Sequence, residues 1–133
     1  MNIENKAYIT LKNIYCDGDV DYLFIWELIN CVDIDEHYDE IDTPRVYKKT
    51  SKQIKNDLIC LIDYLVGMGD FVAYDALQNK RLAIEDIFKF IEDLYKNNKL
   101  LEIGFDMSRV LLKEKKGKEA PTIIPDTVMR LFI

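Results

Sequence analysis

Ile54, Leu58, Leu61, Ile62 and Leu65 recur at helical spacing between Thr50-Ser51 and Gly67-Met-Gly69. With 3.6 residues per turn, that spacing gathers all five on one face of a helix. Thr50 or Ser51 can cap its start, since a hydroxyl there accepts from an orphan N–H, and the glycines end it. Phe71-Val-Ala-Tyr74 follows at once as a short strand. A one-faced helix running directly into a strand calls for mixed packing, because each element must bury its apolar side against the other.

The flanking elements extend the same plan. Ile3, Ala7, Leu11 and Ile14 share a helical face, so residues 3–15 read as a first helix, although residues 8–15 also fit a strand. Gly18 is a plausible stop, Asp19 a cap for the next helix, and Asp21 suits that helix's positive end. Over residues 20–32, Val20, Leu23, Phe24, Leu28 and Cys31 make one face, while Ile25, Trp26, Ile29 and Val32 fill much of the rest. A helix apolar nearly all round is either central or shares its second face with a partner. Residues 33–49 read as a long loop. A turn at Gln78-Asn-Lys80 leads to a helix with Ile84, Ile87, Phe88, Ile91, Leu94 and Tyr95 as core candidates, closed by Asn97-Asn98. The tail reads as β-rich, with a hairpin of residues 100–103 and 109–113, a polar loop over 113–118 and a terminal strand over 127–133. The expected fold is α+β, a single domain spanning residues 1–133. It has about four helices and a small antiparallel sheet formed mainly by the C-terminal part.

Charge is distributed unevenly over this plan. Between Asn13 and Pro44 there is no lysine or arginine, yet there are ten acidic residues. Six of them, Asp33, Asp35, Glu36, Asp39, Glu40 and Asp42, fall within ten residues. Residues 1–44 carry eleven acids and two bases, a net −9, and residues 45–133 carry thirteen acids and sixteen bases, a net +3. A one-sign field repels itself, so the block reads as a surface kept acidic for a basic partner, a cation site or a solvated loop. It argues against the N-terminal half lying on DNA or an anionic membrane, since phosphate contacts need Lys and Arg.

Other features bound the compartment and the chemistry. No apolar run approaches the ~20 residues needed to span a bilayer, and the start lacks the pattern of a signal peptide, so a soluble cytoplasmic protein is expected. Cys16, Cys31 and Cys60 form no CxxC pair, and an odd count points to free thiols. Asp17-Gly-Asp-Val-Asp21 matches the opening of an EF-hand loop. The sixth and twelfth positions, however, are Tyr22 and Leu28 where that cage needs glycine and a bidentate glutamate. His37 is the single histidine, and zinc or non-haem iron normally draws several N or S ligands. Gly67-Met-Gly69 leads into no phosphate-binding pattern. No catalytic residue, metal site or cofactor is expected, and the chain is read as a non-enzyme.

Two recognition features remain. Arg45, Lys48, Lys49, Lys52 and Lys55 cluster across the start of the third helix, where like charges oppose the dipole. They either balance the preceding acids and pin the loop, or serve a winged-helix-like regulator or adaptor touching nucleic acid. The first is favoured because the segments adjoin. Tyr22, Tyr38 and Tyr47 lie among the acids, and tyrosine is enriched at binding hot spots. The expected partner-binding residues are therefore Asp33, Asp35, Glu36, Tyr38, Asp39, Glu40, Asp42 and Tyr47. A metal-dependent enzyme using the acid loop ranks last.

In size, acidity, Lys/Asn/Ile-rich composition and layout, the chain resembles a small bacterial immunity protein. Such proteins act in contact-dependent growth inhibition or related polymorphic toxin systems. The resemblance is most evident in Asp57-Leu-Ile-Cys-Leu-Ile-Asp-Tyr-Leu-Val-Gly-Met-Gly-Asp-Phe71 and in the helix over residues 84–95. It implies cytoplasmic binding of a cognate toxin domain, often a basic nuclease, whose active site or substrate surface is blocked. The acidic block would speed the encounter by steering, and buried tyrosines or apolar anchors would supply affinity.

Overall fold

The computed structural model describes residues 2–35 and 44–133. Helix α1 (Ile3–Val20) starts at Asn2, whose side-chain oxygen accepts from the Asn5 N–H at 2.8 Å. It buries Ala7, Leu11, Ile14 and Tyr15, which resolves the first element as helix. After it come β1 (Leu23–Phe24) and α2 (Ile25–Val32). Helix α3 (Ser51–Gly67) is capped reciprocally. The Gln53 N–H donates to Thr50 Oγ1 at 3.2 Å, and the Thr50 N–H donates to Gln53 Oε1 at 2.8 Å. Its five predicted core residues are all fully buried. The chain then runs through β2 (Phe71–Asp75), β3 (Lys80–Arg81), α4 (Ile84–Lys96), β4 (Val110–Lys113) and α5 (Asp126–Met129).

The strands form one antiparallel sheet in the order β1-β4-β2-β3. Leu23 pairs with Leu111 and Ala73 with Leu111, so these three point to the same side, as do Phe71 and its partner Lys113. Leu23, Phe71, Ala73 and Leu111 join one apolar core to which α1, α2, α3, α4 and α5 all contribute. The fold is thus α+β, with helices stacked on one face of a small sheet.

Several boundaries differ from the sequence expectation. Gly18 does not stop α1. It is a buried point of close approach, where a Cβ would meet Phe71 Cε1 at 2.9 Å. Asp19 therefore lies inside α1 and caps nothing; its carboxylate accepts from Lys113 Nζ at 2.7 Å and from the Gly117 N–H at 2.8 Å. The helix expected over residues 20–32 is shorter, because Leu23 and Phe24 are taken up as a strand against β4. The tail is not β-rich. Residues Leu100–Glu102 form a 3-10 turn, and β4 finds its partners in β2 and β1 rather than in a local hairpin. In place of a terminal strand, α5 and a 3-10 turn (Arg130–Phe132) bury Val128, Leu131 and Phe132. These residues pack at helical spacing against α1, with which both elements are in contact.

Candidate functional site

Asp33 sits at the C-terminal end of α2, where its N–H donates to Ile29 O at 2.9 Å. Its side chain is buried, and Oδ2 accepts from the Lys48 and Lys49 N–H groups at 3.0 and 2.8 Å. Arg45 returns to the same point. It donates to the Asn30 side-chain oxygen and to the Asp33 carbonyl, with its guanidinium 4.0 Å from Asp33 Oδ1. The chain therefore leaves at Asp33 and comes back at Arg45 within hydrogen-bonding distance, immediately before the Thr50 cap of α3. Asp33 is committed to this closure. Arg45 and the backbone of Lys48 and Lys49 pin the segment; among the described residues, Arg45 is the base of the 45–55 cluster shown with its side chain on the preceding acids. Lys49 also donates to Asp57 and to the Leu131 carbonyl, each at 2.7 Å, and Lys55 pairs with Glu92 at 3.0 Å.

Beside this closure lies a cleft of about 290 Å³, lined by Trp26, Ile29, Arg45, Tyr47, Leu101 and Phe105 among others. The Arg45 guanidinium stacks over the Tyr47 ring at 4.2 Å. The Tyr47 hydroxyl donates to the Leu101 carbonyl at 3.3 Å. Phe105 is 77 % exposed and packs edge-on to Trp26 at 5.3 Å and to Phe24 at 6.1 Å. Two buried donors in the cleft wall, Trp26 Nε1 and Arg45 Nε, have no acceptor among the described residues. The cleft thus sets a large exposed ring beside two buried, unpartnered donors.

Of the sequence-predicted site residues, Tyr47 lines this cleft, whereas Asp33, expected at a partner surface, is buried outside it with its carboxylate taken up by the Lys48 and Lys49 N–H groups. Asp35 is half-buried just beyond. Glu36, Tyr38, Asp39, Glu40 and Asp42 lie outside the described residues, as does His37. Trp26 and Phe105 were not among the predicted site residues. Trp26 carried a signal as part of the second apolar face of its helix; Phe105 carried none, since its neighbours in the cleft lie far away in sequence.

Acidic groups gather where α2 meets the end of α1. Glu27 is half-buried, and its carboxyl is pushed up first by burial and then by the Asp17 and Asp21 carboxylates, against a lowering contact from the Phe24 N–H. The Cys31 thiol is pushed up to about 12 by burial, with Glu27 and Asp17 adding to it.

A second polar cluster sits at the opposite end of the sheet. Lys113 is buried, and its ammonium donates to Tyr15 O, Asp19 Oδ1 and Lys118 O at 2.9, 2.7 and 2.7 Å. Asp70 is also buried and accepts from Tyr15 Oη at 2.6 Å and from Lys118 Nζ at 2.5 Å. Burial alone would raise the Asp70 carboxyl, but the Lys118 and Tyr15 hydrogen bonds outweigh it and hold the group below the ordinary range. Every member of the cluster has a partner, so it works as a latch that ties residues 114–120 to α1 and β2. No group of three or more metal-ligating side chains occurs among the described residues, and none of their helices is long and apolar enough to cross a membrane. Comparison with known protein families, with curated proteins and with solved structures finds no match to this chain.

Proposed function

We propose that the chain is an immunity-type inhibitor that binds and neutralises a cognate basic toxin domain, of the nuclease kind, in the cytoplasm. What supports the reading is an unbalanced acid run in a chain that also carries an exposed aromatic cleft: residues 33–42 hold six acids and no lysine or arginine. The densest run, residues 33–42, starts from a closure pinned by Asp33 and Arg45 at the edge of an aromatic cleft. A one-signed run of charge speeds encounter with a basic surface, and exposed aromatic area then holds it. The Asp70 and Lys113 cluster is satisfied internally, and Cys31 is held as a thiol. Inhibition then proceeds by occlusion, with the acids drawing the toxin's basic cleft and the aromatic residues excluding water at the contact.

The test is charge reversal. Changing Asp35, Glu36, Asp39 and Glu40 together to lysine lowers the association rate with the cognate toxin domain by at least about tenfold at low salt. The melting temperature stays near that of the parent. An unchanged association rate at low ionic strength removes the steering role of the acids, and failure of the parent protein to bind that domain removes the reading altogether.

A further inference from the structure

The segment after β4 is tied to the fold by charge rather than by burial. Residues 114–119 are all exposed, and Ala120 is the first residue after Lys113 to pack against the apolar core. Asp19 Oδ1 accepts from the Gly117 N–H at 2.8 Å, and Asp70 Oδ1 from Lys118 Nζ at 2.5 Å. The Lys113 and Lys116 ammonium groups donate to the Lys118 and Gly18 carbonyls, each at 2.7 Å, and Glu114 pairs with Arg81 of β3. Among the described residues, the backbone bond that leaves the segment runs from the Glu114 N–H to the Asp70 carbonyl at 2.9 Å, at its very start. Between the segment and α1 lies a cavity of about 320 Å³, walled by Tyr8, Lys12, Tyr15 and Cys16 on one side and by residues 117–120 on the other.

Pieces of a fold that bury few apolar contacts open first, while the rest stays folded. The two carboxylates that hold this piece are themselves fixed, since Asp19 lies in α1 and Asp70 is fully buried just before β2. We propose that residues 114–120 are a strap over this cavity, which opens as a unit on the intact fold when Asp19 and Asp70 are protonated. Asp70 is faced by Tyr15 of α1, Tyr64 of α3, and Lys115 and Lys118 of the strap. Asp19 is faced by Lys113 of β4 and by Lys116 and the Gly117 N–H of the strap, and Lys12 and Glu119 line the cavity beside them. A proton on either acid removes the counter-charge of its lysines and leaves the strap with little else to hold it. Hydrogen bonds from Lys113 and Gly117 keep the Asp19 carboxyl below its ordinary range; burial pushes Asp70 the other way, but Lys118 and Tyr15 outweigh it. Carboxyls depressed in the folded protein stabilise above their unfolded value and let go as pH falls through their folded one. The strap is therefore shut from pH 7 to 5 and released below about pH 4. It holds whether or not the chain is an inhibitor.

Hydrogen exchange of the full chain, read by mass spectrometry with rates corrected for pH, tests the strap. Amides of residues 114–118 lose about tenfold or more of their protection between pH 7 and about pH 3.5, while those of α3 keep theirs. Asp19→Asn and Asp70→Asn imitate the protonated acids, and each shows the same selective loss at pH 7. A variant that also loosens α3 has lost its fold, and the other variant and the acid titration of the parent then decide. Protection of residues 114–118 that is unchanged by acid and by both substitutions overturns the proposal. So does a loss that tracks α3 at every pH, because the segment would then open only with the whole fold.

Discussion

The two faces of the sheet are built from the same residue types under different obligations. On the inner face, Leu23, Phe71, Ala73 and Leu111 are at most 2 % exposed and meet helices from both ends of the chain. Their apolarity is demanded by folding. On the opposite, outer face of the sheet, Phe24, Val72, Tyr74 and Leu112 are half-buried, while Val110, paired with both Phe24 and Tyr74, is fully buried. Away from Val110, folding does not demand apolar side chains there, since a solvated antiparallel face tolerates polar ones. Residue type alone therefore does not separate core from contact surface; the obligation comes from what lies opposite.

The largest expected difference between the faces is in stability. Phe71 is fully buried, packs edge-on to Tyr15 at 5.2 Å, and lies against Gly18. Phe71→Ala removes that ring from a site whose surroundings are held by α1 and β4. A loss of about 3–5 kcal/mol is expected in chemical denaturation. A loss below about 1 kcal/mol would mean that the inner face carries no more of the fold than a surface position does.

The next effect sits at the end of the inner face, where an apolar strand closes on a buried charge. Lys113→Met keeps length but leaves the Tyr15 and Lys118 carbonyls without their donor and Asp19 without its ammonium. The expected cost at neutral pH is about 2–3 kcal/mol, since charge-assisted bonds are the strong ones. The sign of its pH dependence follows from Asp19. The Lys113 hydrogen bond, helped by the Gly117 N–H, holds that carboxyl below its ordinary range in the folded protein. A depressed carboxyl stabilises above its unfolded value and loses that contribution as pH falls through its folded one. The gap between parent and variant is therefore constant from pH 7 to 5 and narrows below about pH 4. A gap that widens with acid would assign the latch to something other than the Asp19 pair.

How far the sequence reveals these regions depends on whether the deciding contact is local. The Thr50 cap and the five-residue face of α3 are readable because cap and face fall within one helix. The strand at residues 71–74 is readable because glycines mark its start. Gly18 is misread because a stop and a close approach present the same residue, and only the Phe71 ring, 53 positions on, distinguishes them. Lys113 reads as the start of a polar loop, since its acceptors on α1 are invisible from Lys113-Glu-Lys-Lys. Likewise β4 cannot be assigned to β2 and β1 from its own residues. The acids of the candidate site are evident from composition, whereas Asp33's internal role needs the return of the chain at Arg45. The outer face leaves one trace, Val72 and Tyr74 alternating with Phe71 and Ala73, so that β2 is apolar on both sides.

The smallest stability effect is expected on that outer face, and it is the sharpest test of the contrast. Phe105 is 77 % exposed and packs edge-on to Phe24 and Trp26. Phe105→Ser removes little packing, so denaturation should shift by about 0.5–1 kcal/mol at most. Its effect on the solvent-exposed behaviour of the protein runs the other way, because a large ring in water favours any contact that covers it. Binding of a hydrophobic dye to the native protein should fall in this variant, while Phe71→Ala leaves native dye binding unchanged or raises it by loosening the fold. If Phe105→Ser instead costs as much stability as Phe71→Ala, the outer face belongs to the core. The distinction between folding surface and contact surface on this sheet would then not hold.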